Sequence, residues 1–228
     1  MLKVLVLSDF DSRIKWGVTA ALKITIADQV TLVMHRSQKD KVTYYINQLR
    51  NIFYLDPLEY LKKSPVSDFD VIIFAIGGWL NIKAVSLLQK LIPVGEMRPL
   101  LIGGLNGMVD RSDPDVVFSR SGLDLLFLNC RNDYKFFEET FNSLGVNSPV
   151  LLETGYLRTY QNENSNSSQS GNILFVQQDG VPASKKAYVY LVNKLVDFAA
   201  TNPGSRIYIK LRNSGSIGVN SGVMKYDA

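Results

Sequence analysis

Short runs of consecutive apolar residues alternate along this chain with segments in which apolar residues recur every three or four positions. An uninterrupted apolar run is typical of a strand buried on both faces, whereas the recurring spacing is typical of an amphipathic helix. Their alternation predicts an α/β fold with a doubly wound, Rossmann-like parallel sheet. The predicted strands lie near residues 2–8, 30–35, 52–55, 70–77, 99–103, 123–129, 150–154, 172–178 and 206–211. The predicted helices lie near residues 12–23, 38–50, 57–63, 80–91, 132–144 and 184–201.

The chain begins the same strand–turn–helix unit twice, at residues 3–12 and again at residues 172–179. The first start is followed by a full set of repeats, and the second by one helix and one strand. The segment between them is rich in Asn, Ser and Gln, a composition typical of a flexible linker. We therefore expect an N-terminal Rossmann-like domain over 1–159, a flexible linker over 160–171 and a partial C-terminal unit over 172–228.

Composition narrows the class of protein. The formal net charge is +4, and the basic residues are scattered, which favours a solvated surface over a nucleic-acid interface. No apolar run reaches the roughly 18–20 residues that span a bilayer, and the first residues do not resemble a signal peptide. The single cysteine, Cys130, excludes an internal disulfide and is expected to be a small core residue. These features predict a cytoplasmic protein without a transmembrane segment.

Polar residues and glycines follow nearly every predicted strand, at the edge of the sheet where α/β proteins bind ligands. Asp9 and Asp11 follow the first strand, and their spacing superficially matches a metal-chelating Asp-x-Asp. Because they open a helix, we favour helix capping, with one carboxylate available as a general base. The other candidates at these ends are Ser12, Lys15, Gly77, Gly78, Gly103, Gly104 and Asn106.

Several common site motifs are absent from the sequence. The glycine-rich turn at 103–107 does not fit the dinucleotide fingerprint, and no P-loop occurs. His35 is the only histidine, so a metal site with several histidines is impossible. On the helix after the first strand, Lys15 and Trp16 could face a substrate, but a surface lysine and a core tryptophan are favoured.

A resemblance to a known family rests on short motifs. The start Val-Leu-Ser-Asp-x-Asp-Ser-x-x-Lys-Trp, at residues 6–16, resembles bacterial glycosyltransferases of the two-Rossmann-domain (GT-B) type found with surface-polysaccharide genes. Further segments are similar to that family, and the resemblance covers about residues 2–212. These segments are 103–104, 120–124 with 128–129, 152–156, 173–184 and 209–212.

The resemblance implies a nucleotide-sugar donor and a saccharide acceptor, with no bound metal or other cofactor. The acceptor would bind the N-terminal domain, with Asp9, Asp11, Ser12 and Lys15 near the reacting centre. Gly77, Gly78, Gly103 and Gly104 would line the cleft floor, and Asn106 is expected among the substrate-binding residues. The donor side would be formed by Gln177, Gln178, Lys210 and Arg212, whose cations would meet phosphate oxygens.

The chain departs from the family pattern after Arg212, where a Gly-, Ser- and Asn-rich segment follows. A full second domain needs roughly 100 more residues, so we expect a truncated product with impaired donor binding. Two alternatives stay open. One is a single-domain nucleotide-binding or protein-interaction module, whose open sheet edges would favour a homodimer. The other is a nucleotide-sugar epimerase, which the single histidine argues against.

Overall fold

The computed structural model describes residues 2–92, 97–107, 109, 111, 113–157, 173–176 and 184–210. The chain divides into two compact units, residues 1–163 and 164–228, and each has its own sheet. The linker predicted at 160–171 lies outside the described residues, as do residues 211–228.

Seven parallel strands form the sheet of the first unit, in the order β3-β2-β1-β4-β5-β6-β7. This confirms the predicted α/β fold with a doubly wound parallel sheet. The strands are β1 (Val4–Ser8), β2 (Val30–Val33), β3 (Asn51–Phe53), β4 (Val71–Ala75), β5 (Leu100–Gly104), β6 (Leu125–Leu128) and β7 (Val150–Glu153).

Helices cover both faces of this sheet, because successive strand residues point to opposite sides. Val4 and Val6 of β1 join one apolar core, and Leu5 and Leu7 join the other. The first core is covered by α1 (Asp11–Ile24) and α2 (Thr43–Ile46). The second core is covered by α3 (Pro57–Lys63), α4 (Gly78–Leu91), α5 (Asp115–Phe118) and α6 (Arg131–Leu144).

The strand order reverses between β1 and β4. From β1 the chain winds outward to β2 and β3, and from β4 it winds the other way to β5, β6 and β7. The helices that follow the two central strands, α1 and α4, therefore pack on opposite faces. Such a reversal opens a crevice at the carboxyl ends of the strands, which is where this fold class binds ligands.

The prediction of a single α-helix over 38–50 is wrong. The structure has a 3₁₀-helix at Arg36–Val42 and then the single turn α2. The 3₁₀-helix begins before residue 38, and no side chain caps it. A run of β-branched and aromatic residues at 42–45 lowers the helix propensity here.

Two other local predictions have definite outcomes. α3 begins as expected, with Pro57 in its first turn and Asp56 accepting bonds from the amides of Leu58 and Glu59 at 2.8 and 3.2 Å. The expectation of a buried Cys130 is wrong, because this residue is exposed at the start of α6.

The second unit contains a parallel β–α–β arrangement, as the second strand start predicted. It consists of β8 (Ile173–Val176), α7 (Lys185–Thr201) and β9 (Ile207–Lys210), and the two strands pair in parallel. Ser184 caps α7 by accepting a bond from the Ala187 amide at 3.2 Å. None of the helices in the described ranges is long and apolar enough to cross a bilayer.

Candidate functional site at the carboxyl edge of the sheet

Asp9 lies at the point where the strand order reverses, directly after β1. Its side chain is 11% exposed, and its Oδ2 accepts bonds from Arg13 Nη1 at 2.5 Å and from the Gly77 amide at 3.4 Å. A Cβ atom at Gly77 would overlap the Arg13 guanidinium. Asp9 therefore ties the start of α1 to the start of α4, and the missing side chain at 77 lets Arg13 lie across the junction.

Asp11 is the more accessible carboxylate, with 41% of its side chain exposed. Its Oδ2 lies 3.2 Å from Lys15 Nζ. Partial burial would raise the pKa of Asp11, but hydrogen bonds from Lys15 and the Ser12 amide outweigh it, and the pKa falls below 3.8. The nearby charges of Lys15 and Lys41 lower the pKa further.

The favoured reading of the two aspartates as helix caps is wrong. The residue that caps α1 is Phe10, and it makes no side-chain bond to the helix amides. Asp9 is instead occupied by Arg13 and Gly77, and Asp11 lies inside the first turn. Asp11 can still stabilise the positive end of α1 through its charge.

A second group of contacts joins the loop after β5 to α1. Asn106 Nδ2 donates to Ser12 Oγ at 3.0 Å, and the Tyr156 hydroxyl donates to the Asn106 carbonyl at 3.0 Å. The structure thus brings Ser12 and Asn106 together at the carboxyl edge of the sheet, although β4 lies between β1 and β5. Tyr156, which holds Asn106 from beyond β7, was not predicted as a site residue.

A third group lies between α4 and the turn after α5. Asn81 is 3% exposed, and its Nδ2 donates to the Ser119 carbonyl at 2.9 Å. Arg120 Nη1 donates to the Val116 carbonyl and to Ser119 Oγ, the latter at 3.3 Å. Burial, and next the charge of Arg13, lower the pKa of Arg120 to about 10. Arg13 and Arg120 are therefore close enough for their charges to interact.

We call the three groups of residues together the switch-point site, after the reversal of strand order between β1 and β4. The site consists of Asp9, Asp11, Ser12, Arg13, Lys15, Gly77, Asn81, Asn106, Ser119 and Arg120.

Two buried acceptor atoms of the site lack a hydrogen bond among the described residues. They are Oδ1 of Asp9 and Oδ1 of Asn81. Buried polar atoms are nearly always bonded in folded proteins, and exceptions require an explanation. Both exceptions lie in the same site, at the edge where this fold class binds ligands.

Helix ends add positive potential at this edge. α1, α4 and α6 each begin after a strand without a side-chain cap, whereas α3 is capped by Asp56. An uncapped helix N-terminus presents free amide groups and a partial positive charge. With Arg13, Lys15 and Arg120 nearby, the edge favours negatively charged groups.

The predicted glycines have different surroundings. A Cβ at Gly103 would overlap the Leu123 side chain, and one at Gly104 would overlap the ring of Trp16, so close packing accounts for both. Trp16 is buried in the core, as favoured, and Lys15 is partly buried against Asp11. Gly78 differs, because its φ of +51° is a left-handed conformation and the space around it is open.

Two aromatic side chains are exposed beside the site. Phe10 is 57% exposed at the start of α1, and Trp79 is 61% exposed in the first turn of α4. The Arg13 guanidinium lies 5.4 Å from the centre of the Phe10 ring. Exposed rings next to polar groups provide surfaces on which a ligand with apolar and polar faces can pack.

The remaining candidates lie elsewhere. His35 Nε2 is 3.8 Å from Asp56 Oδ2, after β2. Lys210 is the last residue of β9 in the second unit. Gln177, Gln178 and Arg212 lie outside the described residues. In the part of the chain that the structure describes, no three His, Cys, Asp or Glu side chains are grouped to hold a metal ion.

Residues 4–216 match the profile of a family described as "Putative glycosyltransferase (DUF6716)". The chain belongs to this family. The match covers both units and supports the glycosyltransferase resemblance. No curated protein and no solved structure matches the chain significantly.

Four residues of the switch-point site became visible only in the structure: Arg13, Asn81, Ser119 and Arg120. The same holds for Tyr156, which contacts the site through the Asn106 carbonyl. Two of these residues carried a signal in the sequence. Arg13 follows Asp9 by four residues, the spacing at which opposite charges meet on a helix. Arg120 opens one of the segments on which the glycosyltransferase resemblance rests. Asn81 and Tyr156 carried none, because their roles depend on contacts with distant parts of the chain.

Proposed function

We propose that this protein transfers a sugar from a nucleotide-sugar donor to a hydroxyl group of a saccharide acceptor. Family membership supports the reaction class. The observation that carries the proposal is the pairing of an accessible carboxylate, Asp11, with a cluster of cations at the point where the strand order reverses. The GT-B arrangement and a role in bacterial surface-polysaccharide synthesis are parts of the same proposal.

Asp11 is the general base in this proposal. It takes the proton of the acceptor hydroxyl, whose oxygen attacks the anomeric carbon of the donor. The bond between that carbon and the phosphate oxygen breaks, and the nucleotide leaves with the electron pair. Because the pKa of Asp11 is lowered from its ordinary value, the carboxylate is ionised at neutral pH. A weak base of this kind relies on positioning for its effect.

Asp9 is a positioning residue in this proposal. It holds Arg13 at 2.5 Å and the start of α4 at 3.4 Å, and most of its side chain is buried. Phe10, which lies between Asp9 and Asp11 in the chain, and Trp79, in the first turn of α4, are exposed and offer ring surfaces to the apolar face of a sugar. The acceptor therefore binds over the first unit, with its reacting hydroxyl at Asp11.

The donor belongs to the second unit in this proposal, through Gln177, Gln178, Lys210 and Arg212. Cations that meet the phosphate oxygens stabilise the departing nucleotide. The nucleotide sugar is a co-substrate, and no metal or other cofactor takes part. A cytoplasmic location and a homodimer complete the proposal.

The test is a transfer assay with purified protein, a panel of nucleotide sugars, and neutral and acidic saccharides, with nucleotide release as the readout. Release should require both substrates. Asp11→Asn should lower kcat about 100-fold or more, because general-base catalysis contributes roughly that factor. The matched control is Glu59→Gln. Glu59 also pairs with a lysine on a helix, at 2.9 Å, and its pKa is also lowered.

Glu59→Gln should leave kcat unchanged. Full activity in Asp11→Asn would overturn the assignment of the base. Absence of acceptor-dependent release from every donor in the panel would overturn the proposed function itself.

A further inference from the structure

Arg120 has hydrogen-bonding capacity that the described structure does not use. Both hydrogen bonds that Arg120 donates within the described residues start from Nη1, and their acceptors are neutral: the Val116 carbonyl and Ser119 Oγ. Nη2 and Nε have no partner among the described residues, and the side chain is only partly buried. These two groups form the side of a guanidinium that binds a carboxylate or phosphate with two parallel bonds.

The charge of Arg120 is also uncompensated within the described residues, where no carboxylate forms an ion pair with it. Arg13, whose charge acts on Arg120, is neutralised by Asp9. Two arginines and one aspartate leave a single excess positive charge at the strand reversal. Burial of the guanidinium, and next the charge of Arg13, lower the pKa of Arg120.

The surroundings can accommodate a ligand at this point. Asn81 is the fourth residue of α4, and it bonds to Ser119, the residue before Arg120. No side chain caps the N-terminus of α4. The space around Gly78 is open. Because Asn81 bonds to Ser119, the turn that carries Arg120 lies against the first turns of α4, whose uncapped N-terminus favours a negative charge.

We propose that the switch-point site selects an acceptor that carries an anionic oxygen group, a carboxylate or a phosphate, and that Arg120 binds this group. The inference rests on the proposed function, in which the first unit holds the acceptor and the second unit holds the donor. Arg120 belongs to the first unit. The predicted substrate class is therefore an acidic saccharide or a sugar phosphate rather than a neutral sugar.

Three probes that share one ring test the proposal: glucose, glucuronate and glucose 6-phosphate. They differ only in whether carbon 6 carries a neutral, carboxylate or phosphate group. Both tryptophans are at or next to the site, so the intrinsic fluorescence of the full chain can report binding. Glucuronate or glucose 6-phosphate should bind at least tenfold more tightly than glucose, and the tighter of the two identifies the anionic group.

Variants then locate the binding. Arg120→Gln should weaken binding of the anionic probe at least tenfold and leave glucose unaffected. Arg120→Lys should restore part of the affinity, because it keeps the charge and loses the two-bond geometry. The matched control is Arg50→Gln, which removes the same charge from an exposed pair with Asp28 and should change nothing. Equal binding of all three probes, or unchanged binding in Arg120→Gln, would overturn the inference.

A measurement on the unmodified protein covers the case in which the Arg120 variants fail to fold. Hydrogen exchange with the anionic probe should show protection in peptides spanning 77–82 and 116–121. Protection confined to other segments would contradict the proposal. In the transfer assay, Arg120→Gln should raise the KM of the acceptor and leave the KM of the donor unchanged. A change in the donor KM alone would assign Arg120 to the donor phosphates instead.

Different results would contradict the proposed sugar transfer and the proposed binding of an anionic acceptor by Arg120. If the protein transfers sugar equally well to neutral and acidic acceptors, the result supports the proposed transfer reaction and contradicts the selectivity for an acidic acceptor. If acidic sugars bind at Arg120 but no donor gives a product, the binding site stands and the transferase reaction does not.

Discussion

Aspartate and arginine residues lie both at the amino ends and at the carboxyl ends of the strands in the seven-stranded sheet, which we call its amino edge and its carboxyl edge. Their hydrogen bonding differs between the two edges. At the amino edge, Arg98 donates two bonds of 2.6 Å to the two carboxylate oxygens of Asp124, which also accepts the Leu101 amide at 2.8 Å. The Lys3 amide likewise donates to Asp70 at 2.7 Å. The aspartate and arginine of this edge are matched to each other.

At the carboxyl edge, the corresponding groups are not matched. Asp9 neutralises Arg13, but Arg120 has no ion-pair partner among the described residues, and the Oδ1 atoms of Asp9 and Asn81 are buried without a bond there. A protein can hold unmatched polar groups where a ligand completes them. The matched pairs of the amino edge therefore contribute stability, and the unmatched groups of the carboxyl edge are those to which we assign binding in our proposals.

The largest effect on stability is expected at the amino edge, from Asp124→Asn. The substitution breaks the two-bond pair with Arg98 and should lower the free energy of unfolding by about 2 kcal/mol, since hydrogen bonds to charged groups are worth about that much. Urea unfolding measures the change. Ligand binding by the folded protein should be unaffected.

The control for this variant is Asp28→Asn. Asp28 pairs with Arg50 at 3.0 Å on an exposed surface, so the loss should stay below about 1 kcal/mol. A similar loss in both variants, or weaker ligand binding in Asp124→Asn, would remove the difference between the two edges.

The pH dependence of the same variant sharpens the comparison. Burial would raise the pKa of Asp124, but the bonds from Arg98 and the Leu101 amide outweigh it and lower the pKa below 3.8. A lowered pKa in the folded state gives stability that is complete above the unfolded pKa and is lost as the pH falls through the folded pKa. The stability difference between wild type and Asp124→Asn should therefore be constant from pH 5 to about pH 8 and shrink below about pH 4.

Urea unfolding at several pH values checks this. A difference that is equally large at about pH 3 would show that the carboxylate charge is not its source.

The smallest stability effect is expected at the carboxyl edge, from Gly77→Ala. The new Cβ would displace the Arg13 guanidinium, the flexible end of a partly exposed side chain, so the free energy of unfolding should fall by less than about 1 kcal/mol. Displacement of Arg13 from Asp9 should weaken binding of the anionic probe about tenfold, which corresponds to roughly 1.4 kcal/mol. Fluorescence titration and urea unfolding measure the two effects.

Gly107→Ala is the matched control, because the space around Gly107 is open and the residue is in the loop after β5. It should change neither stability nor binding. A large loss of stability in Gly77→Ala with unchanged binding of the anionic probe would show that the carboxyl edge contributes to stability and not to binding. That result would contradict the comparison.

The fold of this protein is determined by local features of its sequence. Each predicted strand has a counterpart in the structure, because a run such as 71–75 is apolar at every position and can only be buried on both faces. The alternation of such runs with helices then requires a parallel sheet, whose strand ends meet at one edge. This is why the sequence alone predicts that Asp9, Ser12, Gly77 and Asn106 lie at the same edge of the sheet.

The partners of those residues were decided by tertiary structure. Arg120 reaches the site from a turn more than 100 residues beyond Arg13, and Tyr156 reaches Asn106 from beyond the last strand of the first unit. Periodicity describes which faces of an element are buried, but it does not state which strands are neighbours or how each helix crosses the sheet. The strand order and the helix packing bring Arg13 and Arg120 together. They leave Arg120 without a carboxylate partner among the described residues. The sequence therefore determined where a site lies, and the packing of distant segments decided its charge.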